Sequence, residues 1–181
     1  MSTKSKAKAE SGHTVNQQLF DAAGVIVQFL VAPEEIQDAI CLIRGTMPPG
    51  IIVPLHSHPE PEVICVLEGS LEVFRANQGN GHGWTTASAG EVAAIPGNVR
   101  HALRNTSSLP AITALVTKSD LYKFFREVAK PVDPNRRPAP PTPDVVQELF
   151  AVSARYGFWM GSPEENAAIG LEFTQSSHPG R

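Results

Sequence analysis

Residues 50–69 read GIIVPLHSHPEPEVICVLEG, and the order of residue types in this stretch decides how the rest of the chain is read. An apolar run from Ile51 to Leu55 leads into His56-Ser57-His58. In a strand, side chains two apart share a face, so His56 and His58 point one way and Ser57 the other. Two imidazoles on one strand cannot hold an ion alone. Further donors must come from a turn or a neighbouring strand. Glu60 and Glu62 follow in HPEPE with the same parity as the histidines, so periodicity does not choose between them.

A second stretch, residues 90–105, reads GEVAAIPGNVRHALRN and brings His101. Together the two stretches resemble the paired sequence motifs of the cupin superfamily. In the first, Gly50, His56, His58, Glu62 and Gly69 fall at the motif's fixed offsets. Such a match arises by chance below about once per million start points. In the second, Gly90, Pro96, His101 and Asn105 fall in place. The glycine expected two residues after the proline is Asn98 here, and asparagine is the residue best able to replace glycine in a left-handed turn. The resemblance covers residues 50–105 and implies an all-β fold, a double-stranded β-helix or jelly-roll barrel. Its spacing selects Glu62 over Glu60, giving His56, His58, Glu62 and His101 as the expected metal ligands. Glu62 is also the candidate catalytic proton carrier. Glu60 is expected to be a solvated loop carboxylate, the alternative being a second proton carrier lining the pocket.

Three neutral imidazoles and one carboxylate suit one divalent ion of iron, manganese, nickel, copper, cobalt or zinc. All-thiolate sites are excluded, because Cys41 and Cys65 stand in apolar runs outside the cluster and are expected to be buried free thiols. Imidazole ligates only when neutral, so stabilisation by metal is expected to shrink between about pH 7 and pH 5, with little such dependence in the metal-free chain. His13 and His178 belong to polar tails, and His82 to a glycine-rich hairpin. Gly50, Gly69 and Gly90 are assigned to turns. Arg100 and Arg104 are expected to face solvent or pair with acids, although Arg104 could reach an anionic substrate if its strand bulged.

The surrounding sequence fits a sandwich or barrel. Candidate strands are 25–31, 39–46, 51–56, 62–68, 70–75, 91–95, 101–105 and 111–117, with 76–83 (ANQGNGHG) as a hairpin loop. After Ser119 the period changes. Leu121, Phe124, Phe125 and Val128 make one helical face that Pro131 stops. Residues 131–143 hold six prolines and are expected to lack regular structure. A second helix is expected at 143–156, with Thr142 as N-cap, Gly157 past its end, and Val145, Leu149, Val152 and Tyr156 as its buried face. Ser162-Pro163-Glu164-Glu165 has the form of a capping box opening a third. Phe124, Phe125, Phe158 and Trp159 are expected to pack on the barrel; the alternative is that they cover its mouth and shape a pocket. The expected organisation is a disordered lead-in at 1–14, a barrel at 15–117, and a helical extension at 118–181.

With 181 residues, one domain can bury roughly 70% of the surface of the unfolded chain without disulfides or cofactor. A net charge of −3 offers no basic field, so nucleic acid is excluded as a partner. No apolar stretch reaches the ~20 residues of a membrane span, and the polar N-terminus lacks a secretory signal, so a cytoplasmic protein with no membrane partner is expected. The resemblance implies a homodimer and a metal-dependent enzyme acting on a small organic molecule. Dioxygenase-type oxidoreductase chemistry leads, because quercetinase-type cupins share the ligand set. A redox-neutral isomerase or hydrolase, and a non-catalytic small-molecule-binding module, remain open. Few polar groups beyond the ligands favour an apolar or aromatic substrate over a sugar phosphate.

Overall fold

Buried and exposed side chains alternate along most of the chain between Val25 and Thr117, the signature of strands with one face on a core. The computed structural model describes residues 18–78, 81–132 and 141–171, with backbone alone at 77–78 and 81–82. The strands are β1 (Phe20–Ala22), β2 (Val25–Val31), β3 (Cys41–Met47), β4 (Ile52–Ser57), β5 (Glu62–Glu68), β6 (Ser70–Gln78), β7 (Gly81–Ser88), β8 (Val92–Ile95), β9 (His101–Arg104) and β10 (Ala111–Thr117). After them come α1 (Ser119–Val128), β11 (Lys130–Pro131), α2 (Pro143–Arg155), β12 (Trp159–Met160) and α3 (Pro163–Ala168). All strands pair antiparallel, in one sheet ordered β11-β1-β2-β3-β10-β5-β8 and another ordered β12-β4-β9-β6-β7. This is the jelly-roll architecture with a helical extension.

Inward residues of the central strands, among them Ile64, Val66, Leu71, Val73 and Ile95, form the core between the sheets. Each such burial stabilises by roughly 1.5–3 kcal/mol. A second cluster joins Val27, Phe29 and Ile43 to Leu121, Phe124 and Val128 of α1, Val152 of α2, and Phe158. Cys41 and Cys65 are free, and β10 runs between their strands. Burial pushes the Cys41 thiol up to about 11, so it stays protonated.

Several expectations need correction. The stretch 76–83 is mostly strand, since β6 runs to Gln78 and β7 starts at Gly81, so the turn is tighter than composition suggests. Val145 is exposed and does not join Val152 on the buried face of α2. Residues 131–143 are not wholly irregular. Pro131 pairs with Phe20, and the Val132 N–H donates to the Leu19 carbonyl. Proline is tolerated there because β11 is an edge strand. The two caps are as read: the Thr142 hydroxyl accepts from Val145, and Ser162 and Glu165 close a capping box. The lead-in at 1–14, residues 133–140, His13 and His178 lie outside the described residues, as does the side chain of His82. No helix among the described residues is long and apolar enough to cross a membrane.

Candidate metal centre

His56 of β4 and His101 of β9 are direct partners across an antiparallel ladder, which sets their rings 4.1 Å apart. His58 stands one residue past the end of β4 and keeps its parity. Glu62 is the first residue of β5, where burial alternates so that Glu62, Ile64 and Val66 face inward and Val63 outward. The same register that builds the core therefore delivers the carboxylate to the histidines.

The turn that aims His58 is fixed from several sides. The Asn98 N–H donates to the His58 carbonyl at 2.7 Å, and Asn98 holds a left-handed φ of 63°, the conformation its replacement of glycine requires. A Cβ on Gly97 would stand 2.1 Å from the Pro59 carbonyl oxygen, so only glycine allows the two loops this approach. The Thr117 hydroxyl donates to the Pro61 carbonyl at 2.9 Å. Asn105 is buried and hydrogen-bonds Met47 and Leu109 carbonyls, a purely architectural part.

Two of the imidazoles are oriented by a hydrogen bond at the outer nitrogen. His56 Nδ1 lies 2.7 Å from the Pro54 carbonyl, and His101 Nδ1 lies 2.8 Å from the Val99 carbonyl. A carbonyl only accepts, so Nδ1 carries the proton and Nε2 keeps its lone pair free. His58 instead faces Glu60, with Oε2 3.5 Å from Nδ1 and neither atom hydrogen-bonded. On the inner side, Glu62 Oε1 is 3.5 Å from His58 Nε2 and Glu62 Oε2 is 3.5 Å from His101 Nε2.

These spacings fit a shared ion. His58 Nε2, His101 Nε2 and Glu62 Oε2 are buried with no hydrogen-bond partner, an arrangement that is costly unless something joins them. Donors about 2.1 Å from one ion stand roughly 3.0–3.4 Å from each other, close to the separations observed and too long for good direct hydrogen bonds. A ligand nitrogen from each of His56, His58 and His101 lies within 4.8 Å of the others. The electrostatics agree. Burial, reinforced by the neighbouring imidazoles, lowers His56 to about 3, and burial also lowers His101, against the pull of Glu62. For Glu62, burial pushes upward, but contact with His58 and the nearby His101 outweigh it and bring the carboxyl to about 2. Neutral His56 and His101 beside an ionised Glu62 favour a buried negative charge, which a cation would compensate.

Glu60 departs from expectation. It is 8% exposed, not solvated, because the chain turns back at Pro59–Pro61 and folds the side chain behind His58. Nor does it line the cavity beside the cluster. Arg104 is committed elsewhere: its Nε donates to Glu72 at 2.5 Å and its guanidinium stacks on Trp84. Arg100 pairs with Glu165 and stacks on Trp159.

The aromatic residues divide. Phe158 sets its ring 5.2 Å from that of His58, Phe124 packs on Phe158 at 5.0 Å, and Phe125 joins them in lining the cavity. They pack as core and shape the pocket at once, whereas Trp159 does not line it. Sequence reasoning missed Asn166, which is buried in α3 and accepts from the Leu55 N–H of β4 at 2.8 Å.

Two antiparallel sheets closed on a buried three-histidine cluster define a β-barrel of metal-site type. Residues 43–117 match the cupin domain family, so this part of the chain is a cupin domain. No curated protein matches the chain. A predicted oxalate decarboxylase from Thermotoga maritima is similar over 52% of this chain and 79% of its own, at 23% identity and a TM-score of 0.46. A cupin 2 domain-containing protein from Halorhodospira halophila is similar over 74% and 81%, at 19% identity and 0.46. DMSP lyase DddQ from Ruegeria pomeroyi DSS-3 is similar over 46%, at 26% identity and 0.40, and this chain spans only 40% of that enzyme. Each is a likeness of fold.

Proposed function

We propose that this chain is a metal-dependent cupin enzyme that acts on a small organic molecule by dioxygenase-type oxidoreductase chemistry. The observation that carries it is the set of inward Nε2 atoms of His56, His58 and His101, with the Glu62 carboxylate, where they meet an apolar cavity. His56, His58, Glu62 and His101 would hold the ion. A redox-active divalent ion would supply the electron transfer that oxygen chemistry needs, and zinc would supply Lewis-acid polarisation instead. The backbone carbonyls of Pro54 and Val99 fix two imidazoles, and Glu60 backs the third. Phe124 and Phe158 keep water from the inner face of the cluster. Glu62, ionised at neutral pH, offsets the ion's charge and is the group placed to carry a proton at its carboxylate oxygen.

The test is elemental analysis of the full chain purified without a metal-chelating tag, followed by oxygen uptake with enolic and catecholic compounds. Bound iron, manganese, nickel, copper or cobalt with substrate-dependent oxygen uptake supports the proposal. A redox-active ion with no oxygen uptake counts against it. Zinc with turnover but no oxygen uptake indicates a redox-neutral isomerase or hydrolase. Tight binding without turnover indicates a binding module. The family resemblance also leads us to propose a homodimer, which sedimentation velocity would test.

A further inference from the structure

The cavity that opens on the metal centre measures about 140 Å³. A cavity of ~150 Å³ lined by aliphatic and aromatic side chains holds one benzene ring, so the space fits a single-ring body. Among the described residues, His56, His58 and Glu62 are the only ionisable side chains that line the cavity, and no described lysine or arginine does so. Two hydroxyls line it, and each directs its proton to a backbone carbonyl. Ser153 donates to the Leu149 carbonyl at 2.8 Å, and Thr113 to the Gly45 carbonyl at 3.5 Å. The remaining lining is aliphatic or aromatic, with Leu115, Phe124 and Phe158 representative.

Among the described residues, a ligand filling this cavity meets charged or metal-binding partners only at the cluster. Its donor atoms belong there and its body must be apolar. A second charged group would meet no countercharge among the described lining residues. Resting on the metal-centre reading above, we propose that the site takes a molecule of about single-ring size, with one oxygen-bearing head for the metal centre, an apolar body, and no second charged group. Dicarboxylates, sugar acids, phosphate esters and zwitterions are thereby excluded.

Three chelating probes separate the features. Catechol has the head and the body. 3,4-Dihydroxybenzoate adds a remote carboxylate to the same ring, and oxalate has a chelating head with no apolar body. Calorimetry on the full chain loaded with cobalt(II), whose visible spectrum reports the ion's surroundings, should show catechol binding at least tenfold tighter than either competitor. Leu115→Phe, and independently Val53→Phe, should weaken catechol at least tenfold while leaving cobalt content unchanged, because both residues line the cavity and neither belongs to the proposed ligand set. Metal uptake with 3,4-dihydroxybenzoate or oxalate bound as tightly as catechol would overturn the substrate class and leave the metal centre standing. A chain that takes up no metal, yet binds toluene with shifts in the NMR signals of Leu115 and Phe158, would overturn the metal reading and retain the apolar pocket.

Discussion

His58 stands between two buried carboxylates, Glu60 at Nδ1 and Glu62 at Nε2, each 3.5 Å away. The positions imply different roles. Glu62 faces His101 as well, so its loss removes a donor; Glu60 touches only the outer nitrogen and acts on the ring's orientation. His101→Ala and Glu62→Gln should therefore leave a folded barrel with strongly reduced metal content. Unchanged stoichiometry in either variant removes that residue from the ligand set. Glu60→Gln should retain the metal but weaken its affinity by about 10–100-fold, since a partner behind a ligating imidazole typically contributes that much. Competition with a fluorescent chelator measures it, and affinity equal to the parent would mean that Glu60 does not act on His58. That His56, His58, Glu62 and His101 come together was legible in the sequence, because strand parity and motif spacing are local. Glu60 was not, because burial of a residue between two prolines depends on how the turn folds back, which has no period.

Among the elements, α3 does the least expected work. It is short, yet its Asn166 accepts from Leu55 N–H and donates to the Gly161 and Ser162 carbonyls at 3.1 and 2.9 Å. Just before it, β12 pairs Met160 with His56, and the Gly161 N–H donates to the Leu55 carbonyl at 2.7 Å. The strand that carries His56 is thus held on its outer edge by the C-terminal extension. Asn166→Ala would leave a buried Leu55 N–H without a partner, at a cost of about 1–3 kcal/mol. Urea unfolding should show that loss, with weaker metal binding beside it. Asn166→Asp, which keeps the acceptor for Leu55, should recover part of both. Loss of neither stability nor affinity in the alanine variant would detach α3 from the site. The helices themselves were readable from apolar spacing and caps, as were strands such as Val25–Val31 and Glu62–Glu68 from alternation. The strands Phe20–Ala22, Lys130–Pro131 and Trp159–Met160 were not, because two or three residues carry no pattern and only their partners define them.

Across the whole molecule, the extension returns one strand to each sheet, as β11 beside β1 and β12 beside β4, and its aromatic residues close on the histidines. Burial that tight ties the stability of the barrel to the protonation of the site. His56 titrates near 6.5 in the unfolded chain and at about 3 in the folded one, and His101 is lowered in the same direction. Between those values the unfolded chain binds more protons, so folding stability declines as pH falls from about 6.5. At pH 4.5 the loss from His56 alone is on the order of 3 kcal/mol. Glu62, lowered from 4.5 to about 2, contributes stability that is present above pH 4.5 and is lost as pH falls toward 2. The metal-free protein should thus become acid-labile by itself, contrary to the expectation drawn from free imidazoles, because its cluster is buried and protonation requires opening it. Metal adds a second dependence of the same sign, since the ion needs the imidazoles neutral and is released as they protonate. A thermal-shift series should show Tm of the metal-free chain falling from pH 7 to pH 4. The metal-loaded chain should start higher and fall more steeply, so that the difference narrows between about pH 7 and pH 5. A metal-free Tm that stays level over that range would show that the imidazoles are open to water in the folded state. A constant difference with metal retained would show that the ion is held by something other than histidine.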